Sequence, residues 1–440
     1  MPEFAGWGRT APSVGAPVAP TAAEVPDLVR ATGRRGLIAR GLGRSYGDPA
    51  QNAGGGVLLP LPTEIGPVAA DGTVRVSAGT SLHDLIAALL PQGRFVPVTP
   101  GTRYVTVGGA IACDVHGKSH HVTGSFGDHV RSLDLVLADG STRTVGPDTD
   151  ADLFWATVGG MGLTGVVLSA VVDTIPVETA YAEVTTQRLA NLDEVMRAMR
   201  EGDADFTYSV AWIDTLARGA SLGRSVLSRG EHAARDVIGA REPLVPPGPP
   251  RLTVPITPPV NLVSGPAVRA FNEAWFRKAP RHRVGEIQSL SAFFHPLDGI
   301  GGWNRAYGPH GFVQYQFVVP DDQGEALVRI LEQIAEARLP SFLAVLKRFG
   351  PGNDSPLSFP MAGWTLAYDV PAHPALAPLL DSLDEQVVAA GGRVYLAKDS
   401  RLSAAMLPAM YPRLDEFRAV RERVDPRRTF QSDLSRRLDL

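Results

Sequence analysis

The sequence predicts an α+β protein of two domains, and three observations lead to this prediction. The chain has 440 residues, a length that suits one large or two ordinary domains. Its first 180 residues or so are rich in glycine and in short, alternating apolar runs. Beyond them, strand patterns alternate with amphipathic helix patterns, which favours an antiparallel sheet backed by helices.

In the first part, "VRVSAG" (74–79) alternates with a period of two and predicts a strand. Ser81 then stands at the N-cap position of a predicted helix whose apolar residues follow helical spacing. "SLDLVLADGSTRTV" predicts a β-hairpin that turns at Asp139 and Gly140, because apolar residues alternate on both sides of an Asp-Gly pair. A further strand is expected over 164–175.

In the second part, strands are predicted over 206–214 and 311–320. "EALVRILEQIAEA" and "LAPLLDSLDEQVVAAGG" predict amphipathic helices, the second of which ends at Gly391 and Gly392. Between these elements, residues 243–259 contain eight prolines, which excludes a central strand or helix. This segment is interpreted equally well as a mobile lid or as a passive linker.

Composition excludes several classes of protein. The net charge of −4 lacks the basic excess that nucleic-acid binding needs. Cys113 is the one cysteine, so no intramolecular disulfide can form. The N-terminal "MPEFAGWGRTAPSV" lacks the features of a signal peptide, and no run of 18 apolar residues predicts a spanning helix. Work at a membrane would therefore be peripheral or would depend on a partner.

Two glycine-rich stretches carry the chemical signal: "RGLGRSYGD" (40–48) and "PGTRYVTVGGAIACDVHGKSHH" (100–121). Glycines let a backbone approach a ligand closely, and their N–H groups can point at phosphate oxygens. Each stretch alone is more often an ordinary tight turn. Together they suit a ligand with two phosphates, such as a dinucleotide.

Three histidines in "HGKSHH" raise the question of a metal site. His116 and His120 are four residues apart, but Gly117 interrupts a helix there and no acidic ligand has matching spacing. No metal is therefore expected. The histidines are interpreted as structural residues, or one of them borders an organic cofactor.

Further candidates lie near the C-terminus. Gln314 and Gln316 share one face of a predicted strand, where two amides could bind sugar hydroxyls; the strand alone favours a solvated face. Tyr395 and Lys398 follow a short strand, where a lysine is usually solvated. A buried lysine there would stand near a developing negative charge.

The order of these motifs resembles a known family. "GRGLGRSYGD", "PGTRYVTVGGAIACDVHGKSHHVTGSFGDHV", "LFWATVGGMGLTGVV", "GGWNRAYGPHGFVQYQF", "LKRFGPGNDSPLSFP" and "RVYLAKDSR" together are similar to the vanillyl-alcohol-oxidase, or PCMH-type, FAD family. The resemblance covers nearly the whole chain. It implies an FAD-binding domain over 1–178 and 393–440, and a substrate domain with an antiparallel sheet over 179–392.

The resemblance also implies which residues contact FAD. In this family both glycine-rich loops wrap the pyrophosphate of the cofactor. The implied contacts are Arg40, Gly41, Leu42, Gly43, Arg44, Ser45, Tyr46, Gly47, Asp48, Gly101, Thr106, Val107, Gly108, Gly109, Cys113, Asp114, Val115, His116, Gly117, Val166 and Tyr395. Relatives that bind FAD covalently do so through a histidine at the position of Arg44. Since arginine cannot form that bond, non-covalent FAD is expected.

The branch that the chain resembles oxidises the ribose 2-hydroxyl of a decaprenylphosphoryl sugar to a 2-keto sugar, the first half of an epimerisation that supplies the arabinose donor for cell-wall arabinan. The implied catalytic residues are Lys398, which would stabilise negative charge on the reduced flavin, and His116. Both are candidates for accepting the hydroxyl proton. The implied substrate residues are Gln314, Gln316, Lys347, Arg305, Ser209, Trp212, Thr365 and Ala367.

The chain departs from this branch in "GWTLAYD", where Ala367 replaces an inhibitor-reactive cysteine and Thr365 replaces asparagine. Covalent capture by nitroaromatic inhibitors is therefore not expected, and the substrate preference could differ. The alternatives are an oxidase of another sugar or alditol on the same fold, and a non-catalytic flavin or prenyl-sugar binding protein.

The resemblance further implies an NAD-dependent short-chain reductase as partner subunit and a place in the cell envelope, on the periplasmic side, with peripheral membrane association. Without that resemblance a cytoplasmic protein would be expected.

Overall fold

Twenty-two strands, most of them short, form several sheets in the computed structural model, which describes all residues from 1 to 440. The strands are β1 (Glu3–Phe4), β2 (Ser13–Val14), β3 (Ala16–Val18), β4 (Leu37–Ala39), β5 (Gly56–Leu58), β6 (Ile65–Val68), β7 (Thr73–Ser77), β8 (Arg94–Phe95), β9 (Val130–Val136), β10 (Thr142–Val145), β11 (Val166–Asp173), β12 (Ile175–Pro176), β13 (Tyr181–Leu189), β14 (Tyr208–Ile213), β15 (Ser225–His232), β16 (Leu252–Thr253), β17 (His282–Ser289), β18 (Ile300–Gly301), β19 (Phe312–Pro320), β20 (Ala344–Phe349), β21 (Gly363–Pro371) and β22 (Arg393–Val394).

Thirteen α-helices accompany these strands. They are α1 (Val25–Arg30), α2 (Leu82–Leu89), α3 (Val107–Ala112), α4 (His120–Thr123), α5 (Ala151–Thr157), α6 (Leu192–Gly202), α7 (Gly265–Lys278), α8 (Leu290–Phe294), α9 (Gly324–Ala337), α10 (Leu376–Ala389), α11 (Leu407–Met410), α12 (Leu414–Val424) and α13 (Asp433–Leu438). None of these helices combines the length and the hydrophobicity that a membrane-spanning segment requires.

The first part of the chain forms a five-stranded antiparallel sheet in the order β10-β9-β11-β7-β6, and a three-stranded parallel sheet in the order β3-β5-β4. The local predictions for this part are confirmed. The Ser81 hydroxyl accepts the N–H of Asp84 at 3.0 Å at the start of α2, and β9 and β10 form the hairpin, with Gly140 at φ +77° in the turn.

The second part forms an eight-stranded antiparallel sheet in the order β17-β13-β15-β14-β20-β21-β19-β22. Helices α9 and α10 pack on each other and on β19, and their apolar stripes, from Leu327 to Ile334 and from Leu376 to Val387, are buried. The α+β prediction, with an antiparallel sheet backed by helices, is therefore confirmed.

The chain returns to its first part at the C-terminus. β22 is still an edge of the eight-stranded sheet, whereas α12 packs on α5, and Phe430 forms a β-bridge with Leu37. One continuous apolar core joins both sheets, from Val76 on β7 to Phe317 on β19. The division into domains at residues 178 and 393 stays a prediction.

The proline-rich segment lies on the surface. Its only regular structure is β16, which pairs in parallel with β18, and Leu252 and Ile256 in it are mostly exposed. This position accommodates both interpretations, lid and linker.

Candidate active site

A cavity of about 940 Å³ opens between the two glycine-rich loops and the eight-stranded sheet. The loops contribute backbone and small side chains, while the sheet contributes Trp212 from β14, Gln314 and Gln316 from β19, Lys347 from β20 and Ala367 from β21. Most of the residues expected at the site line this cavity. They are Arg40, Gly41, Leu42, Gly43, Arg44, Ser45, Tyr46, Gly101, Thr106, Gly108, Gly109, Cys113, Val115, His116, Gly117, Val166, Trp212, Gln314, Gln316, Lys347, Ala367, Tyr395 and Lys398.

The first glycine-rich loop presents its backbone to the cavity. No backbone N–H from residue 41 to residue 45 has an acceptor within the protein. Gly43 has φ +65°, a conformation that favours glycine, and a Cβ at Gly41 would lie 2.4 Å from the Thr106 hydroxyl oxygen. A run of N–H groups without acceptors, in a loop shaped by glycine, is typical of anion binding.

Two arginines hold this loop in place. The Arg40 guanidinium donates to the carbonyls of Ala5, at 2.7 Å, and Ala50, at 3.0 Å. Arg44 stacks on Trp7, with its guanidinium carbon 3.9 Å from the ring centroid. Burial lowers the pKa of Arg44, although the group stays a cation at neutral pH.

The second loop is fixed from both ends. The Thr106 hydroxyl accepts the N–H of Gly109 at 3.1 Å, which caps α3, and the Tyr395 hydroxyl donates to the Cys113 carbonyl at 2.7 Å. A Cβ at Gly117 would lie 2.5 Å from the Thr99 carbonyl oxygen, so only glycine fits there. The loop therefore reaches the cavity in a single conformation.

His116 lies at the end of this loop, between aromatic rings. Its Nε2 is 3.0 Å from the Gln316 amide nitrogen; because an amide nitrogen donates, Nε2 accepts and the ring proton is on Nδ1. Nδ1 is buried and has no partner in the protein. Burial, with Lys347 nearby, holds the pKa of His116 well below its usual range, so the ring is neutral.

Gln314 and Gln316 are both buried, which corrects the expectation of a solvated strand face. The register of the sheet explains this burial, because β19 lies inside the sheet, with Gln314 opposite Asp369 and Gln316 opposite Ala367 on β21. Buried amides need partners. Gln314 donates to the Asp369 carboxylate at 2.5 Å, and Gln316 contacts His116.

Three lysines point into the cavity from three elements: Lys118 from the second loop, Lys347 from β20, and Lys398 from the loop after β22. Desolvation lowers the pKa of Lys118 and of Lys347 to about 7, and that of Lys398 to about 8. Sequence reasoning missed Lys118, although it stands two residues from His116 in "HGKSHH".

Asp369 is the second residue that sequence reasoning missed. It is fully buried on β21, and one carboxylate oxygen accepts from Gln314 while the other has no hydrogen-bond partner. Desolvation raises its pKa to about 7, and its negative charge in turn raises the pKa of Lys398. An aspartate within the apolar run "GWTLAYDVP" was the available signal, because a charge on a buried strand needs a counter-charge.

Seven expected site residues do not line the cavity: Gly47, Asp48, Val107, Asp114, Ser209, Arg305 and Thr365. The end of the first loop turns into the protein, where a Cβ at Gly47 would lie 1.8 Å from the Asp399 carbonyl oxygen. Asp48 there forms a bidentate ion pair with Arg437, at 2.7 and 3.1 Å. Both residues anchor the loop to the C-terminal segment.

In the second loop, Val107 belongs to the apolar core. Asp114 accepts the N–H of Gly127 at 2.9 Å and the hydroxyl of Ser358 at 2.5 Å. Its carboxylate therefore ties the loop to the segment after β20, and its partners explain why a buried acid is tolerated at that position.

The other three residues have structural partners. The Ser209 hydroxyl donates to Asp203 at 2.7 Å, and Arg305 donates to the Val254 carbonyl at 2.8 Å, which fastens the proline-rich segment. Thr365 lies behind the cavity wall, where its hydroxyl is 3.3 Å from the Gln316 amide nitrogen. The sheet register decides the positions of Ser209 and Thr365, and a single sequence does not reveal it.

The remaining histidines of "HGKSHH" are structural. His121 contacts the Phe206 carbonyl at 2.9 Å through Nε2, and the ring of His120 packs on Phe349. The structure contains no group of three or more His, Cys, Asp or Glu side chains that could hold a metal ion. Of the three histidines, only His116 lines the cavity.

The charge of the cavity suits an anionic ligand. Seven cationic side chains line it against two carboxylates, Glu286 and Asp298, in a chain whose net charge is −4. The cations are Arg40, Arg44, Lys118, Lys278, Arg283, Lys347 and Lys398. Together with the N–H groups of the first loop, this arrangement fits a dinucleotide with a diphosphate.

Family models match both parts of the chain. Residues 18–146 match an FAD binding domain, and residues 315–438 match the D-arabinono-1,4-lactone oxidase model. The first range contains both glycine-rich loops, and the second contains Gln316, Lys347 and Lys398. The predicted FAD cofactor and the PCMH-type fold are confirmed by these matches.

Curated relatives share the whole length of the chain. It is 47% identical to the decaprenylphosphoryl-beta-D-ribose oxidase of Mycolicibacterium smegmatis, over 99% of this chain and 97% of that protein. It is 27% identical to an alditol oxidase of a Streptomyces species, over 95% and 94% of the two chains. It is 24% identical to the L-gulono-1,4-lactone dehydrogenase of Mycobacterium tuberculosis, over 99% of both chains.

Proposed function

Since the chain belongs to the decaprenylphosphoryl-beta-D-ribose oxidase family of FAD-dependent oxidoreductases, we propose that it oxidises the 2-hydroxyl of decaprenylphosphoryl-β-D-ribose to the 2-keto sugar. This reaction would be the first half of an epimerisation to the arabinose donor for cell-wall arabinan. The observation that carries the proposal is one cavity that combines an anion-binding backbone loop with three polar side chains opposite it, Gln316, His116 and Lys398.

When bound, FAD supplies the redox chemistry, because it can accept a hydride from the sugar carbon. The residues of the two glycine-rich loops that line the cavity would hold the cofactor. The chain must then bind the sugar and move one proton. Gln316 is held by His116 at 3.0 Å, and both side chains line the cavity in fixed positions. Such preorganised groups orient a substrate without loss of entropy at the moment of reaction.

Lys398 is the better acceptor for the hydroxyl proton. The pKa of a proton acceptor should lie near the working pH, and that of Lys398 is about 8. His116 is a weak base because burial depresses its pKa. Its role would be to hold Gln316, with the proton kept on Nδ1.

Non-covalent attachment of FAD follows from Arg44, which stands where the covalent relatives carry a histidine. The guanidinium stacks on Trp7 and has no chemistry that would bond to the flavin. Acid precipitation of the FAD-loaded protein should leave all flavin in the supernatant. Flavin that stays in the pellet would contradict this part of the proposal.

The test of the reaction is anaerobic flavin reduction. Purified holoprotein is mixed with farnesylphosphoryl-β-D-ribose, a short-chain form of the substrate. The absorbance of the oxidised flavin at about 450 nm is then followed. Bleaching is expected, together with a 2-keto product. Bleaching by alditols or other sugars alone would show an oxidase of different specificity, and no bleaching by any sugar would show a binding protein.

We propose that an NAD-dependent short-chain reductase is the partner subunit of this protein. Such an enzyme would reduce the 2-keto sugar, and this reduction completes an epimerisation. Co-purification of the two chains, or a faster turnover of one in the presence of the other, tests this pairing. Independent behaviour in both assays would argue against a complex.

We also propose peripheral membrane association at the periplasmic face of the cell envelope. Phe271 and Trp275 stack on each other at the cavity rim with nearly half of each side chain exposed, and Ile300 adds apolar surface there. Exposed apolar surface beside exposed basic residues such as Lys278 and Arg283 is typical of a surface that lies on anionic lipid. Sedimentation with anionic vesicles tests the association, and cell fractionation tests the location.

A further inference from the structure

Lys118 and Lys347 are an unusual pair, because both are cations inside the cavity and neither has an acidic partner. The Lys118 ammonium donates to the Phe293 carbonyl and lies 4.1 Å from the centroid of that ring. The Lys347 ammonium lies 5.3 Å from the Phe349 centroid and makes no hydrogen bond or ion pair. Aromatic faces and one carbonyl replace water only in part.

The charges around this pair do not compensate its two positive charges. The positive charges of Lys398 and Lys118 lower the pKa of Lys347, and Lys347 in turn lowers the pKa of His116 and of His120. Lys118 in turn lowers the pKa of His295. No carboxylate raises the pKa of either lysine, and the charges that act on Lys347 are both positive.

Lys398 differs from the pair in this respect. The Asp369 carboxylate supports its charge, and its ammonium lies 3.9 Å from the Tyr46 ring centroid. Two lysines thus remain that lack a counter-charge within the protein. Keeping two mutually repelling ammonium groups in a desolvated site costs stability, and an anionic ligand at the site offsets that cost.

We propose that Lys118 and Lys347 form the subsite that binds the phosphodiester of the substrate, next to the sugar positions at His116 and Gln316. This inference rests on the proposed function, which supplies a substrate with one phosphodiester beside its ribose. The phosphate oxygens would accept hydrogen bonds from both ammonium groups. The FAD diphosphate belongs to the glycine-rich loops, which leaves this pair for the second anion.

The pair also predicts that binding of the phosphodiester is coupled to proton uptake. Because the pKa of each lysine in the ligand-free protein is about 7, most of the population is neutral at pH 8, and an anion can bind only after protonation. Binding should therefore take up protons at pH 8. The affinity for the phosphodiester should fall as the pH rises above 7, by at most about tenfold per pH unit for each lysine.

The experiment compares two substrates in the FAD-loaded protein: farnesylphosphoryl-β-D-ribose and the neutral methyl β-D-ribofuranoside. Lys118→Met and Lys347→Met should each raise KM for the phosphodiester substrate by about 10- to 100-fold and lower kcat/KM for the neutral glycoside much less. Arg348→Met is the matched control, because Arg348 is the neighbour of Lys347 on β20 but pairs with Asp321 outside the cavity. Lys347→Arg should retain most of the affinity.

Calorimetry in buffers of different ionisation enthalpy adds a second measurement, with farnesyl methyl phosphodiester as the probe. Proton uptake is expected in the wild type at pH 8 and should disappear in the double methionine variant. Equal losses for both substrates, a Lys347→Arg variant as weak as Lys347→Met, or binding without proton uptake would each overturn the subsite. If the wild type binds the probe with proton uptake but is not reduced by farnesylphosphoryl-β-D-ribose, the proposed reaction fails while the subsite stands.

Discussion

Replacing Asp369 with asparagine would remove one buried negative charge and keep the shape of the side chain. The oxygen of the introduced amide could still accept from Gln314, so the sheet register would be undisturbed. The charge that supports Lys398 would be lost. The variant therefore tests whether the protonation of Lys398 is controlled from behind the cavity wall.

The magnitude follows from the pKa of Lys398. Desolvation lowers this pKa and the Asp369 carboxylate raises it, and the resulting value is about 8. A nearby opposite charge typically shifts a pKa by about 1–3 units, so its removal should lower the pKa of Lys398 by at least about one unit. If neutral Lys398 accepts the hydroxyl proton, the rate of flavin reduction rises with pH through that pKa. The midpoint should then move from about 8 in the wild type to roughly 7 or below in Asp369→Asn.

The assay is anaerobic stopped-flow reduction of the holoprotein at saturating substrate from about pH 5.5 to about pH 9.5, which extends roughly 1.5 units below the lower and above the upper expected midpoint. Asp384→Asn is the control, since Asp384 is also a buried carboxylate but pairs with Arg401 and Tyr315 on the far side of the sheet. A midpoint that stays in place in Asp369→Asn, with normal folding, would refute the argument that this carboxylate sets the charge of Lys398. An equal shift in both variants would point to a general loss of structure.

Three further predictions concern the loops and the cavity wall. Gly43→Ala, at φ +65°, should weaken FAD binding by about 5- to 30-fold in fluorescence titration, while Gly33→Ala, where a Cβ meets nothing within 4 Å, should not. Ala367→Cys should place in the cavity wall a thiol that maleimide labels in the apoprotein and that bound FAD protects; labelling unaffected by FAD would argue against this placement. Arg437→Met leaves two mostly buried carboxylates, one of them Asp48, without their cation, and should lower the free energy of unfolding by about 3 kcal/mol in urea titrations.

Local patterns in the sequence were sufficient for much of the fold. Alternation and capping predicted the helix after Ser81, the hairpin around Gly140 and the strand that contains Gln314, because these signals act over a few neighbouring residues. The glycine-rich loops were also visible, since backbone that must approach a ligand closely needs glycine. Their assignment to FAD came from the order of motifs along the whole chain.

Local patterns could not predict which side chains line the cavity. Ser209 and Thr365 were expected at the substrate site but do not line the cavity, whereas Lys118 and Asp369 were not expected and lie in the cavity or directly behind its wall. On a strand the face of each residue alternates, so one position of register separates a wall residue from a core residue. A sequence contains the alternation but not which face meets the cavity.

The sequence by itself therefore determined the α+β class, the two anion-binding loops and the family, because each depends on residue types at short spacing or in a fixed order within one chain. The tertiary structure alone decided which charges meet. It left Lys118 and Lys347 without a counter-charge and placed Asp369 where it supports Lys398. Electrostatic energies depend on distance and desolvation, which exist only once remote segments are packed together.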